Sequence, residues 1–220
     1  MGYASNNEDS EHGNEKGHMK YDIITIARTL GAGGEQLGST LAAEFDMRYV
    51  DNEIIDRAAA LAGVTTAEVA RTEGRKGLVQ RILENLARSG AGFGEFSAVP
   101  PPLETPEYEQ LIVDVIRETA AAGKAIIVAH GAAIPLAQSP GTLRCFVTAS
   151  PETRATRLAA EAHGELRARK LIEESDAARA AFFRRFYDVE SEQPVHYDVV
   201  INTDHLSVSD AAAVIRALMQ

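Results

Sequence analysis

Leu30-Gly31-Ala32-Gly33-Gly34-Glu35-Gln36-Leu37-Gly38-Ser39-Thr40 follows the apolar run Ile23-Ile24-Thr25-Ile26-Ala27 and leads into Leu41-Ala42-Ala43-Glu44-Phe45. A β-branched run, then glycines, then helix formers is the strand-loop-helix order that gathers backbone N–H groups around an anion. Gly33 and Gly38 have the separation of the glycines in G-x-x-x-x-G-K-[ST], which puts Thr40 where a Mg²⁺-binding hydroxyl belongs and Ser39 where the lysine belongs. The lysine is missing, so Ser39→Lys is the natural rescue to try. A glycine turn without a ligand is the plain alternative, since glycine supplies positive φ at no steric cost. The dinucleotide fingerprint G-x-G-x-x-G fits less well, because Gln36 stands where its third glycine belongs, although Asp51 keeps that alternative open.

Working outward, 220 residues suit one α/β domain with an insertion, and 45% hydrophobic with 25% charged residues is ordinary globular composition. No apolar run approaches the roughly 20 residues of a membrane span. A net charge of -10 speaks against a general nucleic-acid binder. Between Arg144 and Arg185, however, nine Lys/Arg face six Asp/Glu, a locally positive segment suited to a small polyanion or simply to a solvated helix. Cys145 is the only cysteine, so an intrachain disulfide is excluded and a buried thiol in a reducing cytoplasm is expected. The first 20 residues carry no apolar signal-peptide core, and residues 1–20 read as a disordered polar tail ahead of a domain at 21–220.

The spacing predicts strands at Ile23–Ala27, Arg48–Val50, Ala125–Ala129, Leu143–Thr148 and Asp198–Asn202. Helices are predicted from about Gly38 to Phe45, Asn52 to Ala62, around Leu78–Leu86, Thr105 to Ala122, from Pro151, and from Ser207 to Met219. Ser89–Leu103, with its prolines, Phe93 and Phe96, reads as a long functional loop inside an insertion at about 52–123. Strands alternating with helices describe an α/β, doubly wound, five-stranded parallel sheet whose ligands sit at the strands' carboxyl ends. Arg28, Asp51, His130 and Ser150 stand at those ends. Arg28 can contact a phosphate or make a surface ion pair, Asp51 can hold a Mg²⁺ water or cap a helix, and His130 can touch ligand or satisfy a carbonyl. Arg154 and Arg157 share a helix face, and Asp176 and Arg179 repeat that spacing. Phosphoryl transfer needs such cations around the migrating group.

Six segments in order carry a resemblance: Ile24–Arg28 before Gly31-Ala32-Gly33-Gly34, Tyr49–Ile55, Ile126–Ala132, Pro151–Arg154, Asp176–Arg179 and Tyr197–Thr203. Together they resemble the cytidylate kinase-like family of P-loop nucleoside monophosphate kinases. The resemblance implies an ATP- and Mg²⁺-dependent kinase with a nucleotide loop from Gly31 to Thr40, a monophosphate site reached from the insertion, and a lid carrying Asp176 and Arg179. It implies nucleotides as partners, with Asp51 and His130 toward the acceptor, and it is compatible with a homo-oligomer. The chain departs from the family where Ser39 replaces a basic residue, where His130 replaces an arginine, and where Glu35 puts a carboxylate into the loop. Those departures leave an inactive nucleotide-binding or protein-interaction relative as the second reading, and a dinucleotide oxidoreductase as the third.

Overall fold

The computed structural model describes residues 19–51, 53, 54, 57, 105–128 and 131–220. The chain alternates β1 (Ile23–Arg28), α1 (Gly34–Phe45) and β2 (Arg48–Val50), then α2 (Thr105–Ala121), β3 (Ala125–Ile127) and β4 (Thr142–Thr148), then α3 (Pro151–Leu158), α4 (Glu165–Tyr187), β5 (Val199–Asn202) and α5 (Val208–Leu218). The expected helices over 52–62 and 78–86 and the 89–103 loop fall largely or wholly outside the described residues, as do His130 and residues 1–18 of the expected 1–20 tail, whereas Met19 packs on the core and the Lys20 N–H donates to Met219 O at 3.1 Å.

Five parallel strands lie in the order β2-β3-β1-β4-β5. Ile24 pairs with Ile126 on one side and Leu143 on the other, so β1 is the central strand. Its apolar run is continuous because both faces are covered. Ile24 and Ile26 pack with Leu37 and Leu41 of α1 and Ile215 of α5. Ile23 packs on the opposite face with Ile112 and Ile116 of α2 and Phe183 of α4. Each fully buried Ile or Leu in these clusters contributes about 1.5–3 kcal/mol of transfer free energy.

Local signals set the helix ends. Ser150 caps α3 by accepting from the Thr153 N–H at 3.3 Å, with Pro151 in the first turn, and Ser207 and Asp210 form a reciprocal capping box on α5. The basic segment after Pro151 is two helices rather than one. His163 at φ 58° and Gly164 at φ 131° break it. The chain leaves β1 for β2 on one side of the sheet and later enters β4 on the other, so the crevice of a doubly wound sheet opens at the carboxyl end of β1.

Candidate functional site

The loop after β1 is tight. The Thr29 N–H continues the pairing by donating to Val147 O at 3.1 Å, and the Ala32 N–H closes a turn on Thr29 O at 3.1 Å. Gly31 and Gly33 take φ of 80° and 84°, and α1 begins at once with Gly34. A side chain at Gly31 would be strained by that φ and would meet Leu158 Cδ1 at 3.0 Å. Gly33 caps α1 without a side chain, and Leu37 makes the first α1 bond back to Gly33 O at 3.0 Å. The amides of Gly34, Glu35 and Gln36 therefore have no i−4 partner in the helix, the arrangement that binds anions at helix starts.

This corrects the expected helix start at Gly38. Because the left-handed Gly33 already turns the chain into α1, Gly38, Ser39 and Thr40 lie more than a turn inside it. Thr40 stands about 9 Å along the axis from Gly34. The Ser39 and Thr40 hydroxyls donate to Gln36 O at 3.0 and 2.8 Å. Gly38 instead lets α1 approach the sheet, since a Cβ there would fall 2.6 Å from Val128 Cγ2 and 3.1 Å from Tyr49 Cε2.

Arg28 runs over the start of α1. A Cβ on Gly34 would lie 2.6 Å from Arg28 Cβ, so no side chain fits there. The guanidinium pairs with Glu35 through Nε at 2.5 Å. Burial works against its charge, but Glu35 and Asp51 outweigh that and hold its pKa above the ordinary value. Burial, reinforced by Glu35, pushes the Asp51 carboxyl up despite Arg28 and a hydrogen bond from Tyr49. The Tyr49 phenol is pushed up to about 12 by burial and by Asp51. Arg28, Glu35, Tyr49 and Asp51 thus form one electrostatically coupled group beside the loop.

The later arginines are engaged. Arg157 donates to Thr203 Oγ1 at 2.9 Å, to Thr203 O at 2.5 Å and, more weakly, to Gly31 O at 3.5 Å. Arg154, buried, makes a two-pronged pair with Asp176 at 2.9 and 2.8 Å. Arg179 pairs with Glu192 at 2.6 and 2.7 Å, and its guanidinium lies 4.8 Å from the Phe183 ring centre and 5.7 Å from that of Phe146. The structure therefore brings Arg28, Asp51, Gly31, Gly33, Gly34 and Arg157 around the loop, and ties Arg154, Asp176 and Arg179 into ion pairs. In the sequence Tyr49 and Thr203 stand out only as parts of longer segments; their places within β2 and just after β5 are the available signal.

The sequence matches the cytidylate kinase-like family over residues 23–205. A cytidylate kinase from Methanocorpusculum labreanum is 25% identical over 195 residues, covering 88% of this chain and 94% of the relative. In fold, an uncharacterised protein from Eubacterium ventriosum superposes with a TM-score of 0.61 at 16% identity, covering 89% of this chain and 97% of the other. A gluconokinase from Sinorhizobium meliloti gives 0.50 at 12% identity, covering 92% and 95%. The two structural likenesses speak for the fold alone. Among the described residues no helix is long and apolar enough to cross a membrane. With a family match across most of its length and a parallel sheet carrying a glycine turn at its central strand, the chain belongs to the cytidylate kinase-like family, a family of nucleotide kinases.

Proposed function

We propose that the chain transfers the γ-phosphoryl group of ATP to a nucleoside monophosphate, with CMP the first acceptor to test. The observation that carries this reading is the start of α1: left-handed Gly31 and Gly33 open directly onto helix amides that no side chain caps. In this reading the amides of Gly33, Gly34 and Glu35 hold the β- and γ-phosphates. Arg28, which runs over the start of α1, supplies a cation in place of the lysine missing at Ser39. Asp51 and His130, following β2 and β3 in the chain, face the acceptor. Arg154, Arg157, Asp176 and Arg179 serve the lid side, where Arg179 would exchange Glu192 for phosphate oxygens to act directly.

Mg²⁺ suits hard carboxylate oxygens, and Asp51 with Glu35 offers two beside the loop. Bound there, the ion would offset charge on the phosphates. Thr40, with its hydroxyl on Gln36 O, is a weaker donor than either carboxylate.

A second reading, a nucleotide-binding relative without turnover, is favoured by Glu35 in the first turn of α1 and by the lack of any lysine between Arg28 and Thr40. Losing one preorganised donor typically costs about 10²- to 10³-fold in rate. A coupled kinase assay over the common monophosphates, run beside calorimetric titration of ATP with and without Mg²⁺, separates the readings. Turnover supports the kinase, binding without turnover supports the relative, and neither removes both.

A further inference from the structure

We infer that Thr203 is a positioning residue for the phosphate-binding loop. It acts from the protein side, and the inference rests on the reading of that loop as a polyphosphate site. Thr203 follows the edge strand β5 and is 2% exposed. Its own N–H donates to Thr148 O at 2.8 Å, which already occupies that carbonyl. The hydroxyl has a single proton, and the shorter of its two acceptors is Ala32 O at 2.9 Å, against 3.2 Å for Thr148 O. Arg157 fixes the hydroxyl from the other side, donating Nη1 to its oxygen at 2.9 Å while Nη2 holds the Thr203 carbonyl at 2.5 Å.

The consequence lies in the plane of one peptide. No described peptide bond is cis, and in a trans peptide the carbonyl and the following N–H point in opposite directions. Holding Ala32 O against Thr203 therefore turns the Gly33 N–H away from Thr203, toward the opposite side of the loop. Arg157 treats the preceding peptide the same way through Gly31 O, but that N–H, on Ala32, is already spent in the turn to Thr29 O. Gly33 is thus the amide that this clamp presents. Glycine at φ 84° resists rotation of the peptide only weakly, so an external hold is needed.

The test compares the wild-type chain with Thr203→Val, which keeps the shape and loses the hydroxyl, and with Thr203→Ser, which keeps the hydroxyl. Thr203→Ala replaces the valine variant should that not fold. Each is titrated with inorganic triphosphate well below its own melting temperature. The expected result is about tenfold weaker binding for the valine variant, from loss of the bond that orients the Gly33 amide, and recovery to within about twofold of wild type for serine. Wild-type binding with an unchanged valine variant, or equal weakening by valine and serine, overturns the clamp and leaves the loop assignment standing. A wild-type chain that binds no triphosphate overturns both.

Discussion

At Gly34 the backbone is helical and an alanine would ordinarily be the better helix former, yet its Cβ would fall 2.6 Å from Arg28 Cβ. That atom is fixed to the central strand and has no room to yield. Gly34→Ala is expected to lower stability by about 1–3 kcal/mol, as overpacking does, and to displace Arg28; chemical denaturation measures the first and weaker nucleotide binding the second. Next to it, Glu35 sits where a helix start favours an acid but a phosphate does not. With Glu35 side chain 45% exposed, Glu35→Gln should cost under about 1 kcal/mol of stability while strengthening triphosphate binding severalfold, by freeing Arg28. A titration in which the glutamine variant binds more weakly would show that Glu35 orients Arg28 rather than competing for it. The glycines themselves were legible in the sequence, and so was Arg28. What the spacing template could not give is the register of the loop. It counts residues between glycines, whereas α1 begins straight after the second left-handed glycine, Gly33. Thr203 was illegible as a site residue for a different reason: its partner Ala32 is 171 residues away.

The strands follow their predicted runs to within a residue or two, most firmly at β1 and β3, where continuous β-branched sequence buried on both faces leaves little alternative. The break between α3 and α4 went unread, since nothing in the composition of 159–164 obliges His163 to adopt a left-handed backbone. The junction of β4 with α3 has a pH signature. Asp204 accepts from the Ser150 N–H and hydroxyl at 2.8 and 2.9 Å, and these bonds, the backbone one foremost, hold its carboxyl down at about 2. A depressed folded pKa stabilises the native state above the ordinary carboxylate value of 3.8 and loses that contribution as pH falls toward 2. Asp204→Asn should therefore lower the melting temperature at neutral pH and flatten its fall between those two values. Thermal melts across that window decide it, and a variant with the wild-type slope would remove Asp204 from the account.

For the molecule as a whole, a doubly wound parallel sheet of five strands was readable from the alternation of segments, and the family match accounts for the same span. The coupling of α3 to α4 was not, because Arg154 and Asp176, 22 residues apart, read as separate candidates rather than as each other's partner. Their pairing is unequal: the Arg154 side chain is 5% exposed and that of Asp176 40%. Asp176→Ala strands a buried cation and should cost toward the lower end of about 3–5 kcal/mol, whereas Arg154→Met leaves an acid that water can reach and should cost less. Equal losses in paired denaturation curves would contradict that asymmetry. The bare beginning of α1 has a last consequence. Lacking the serine or aspartate that closes α3 and α5, its opening turn should fray when the protein is empty, exchanging the amide protons of residues 34–36 with deuterium quickly. An oxyanion settling there would finish the helix that the sequence leaves open.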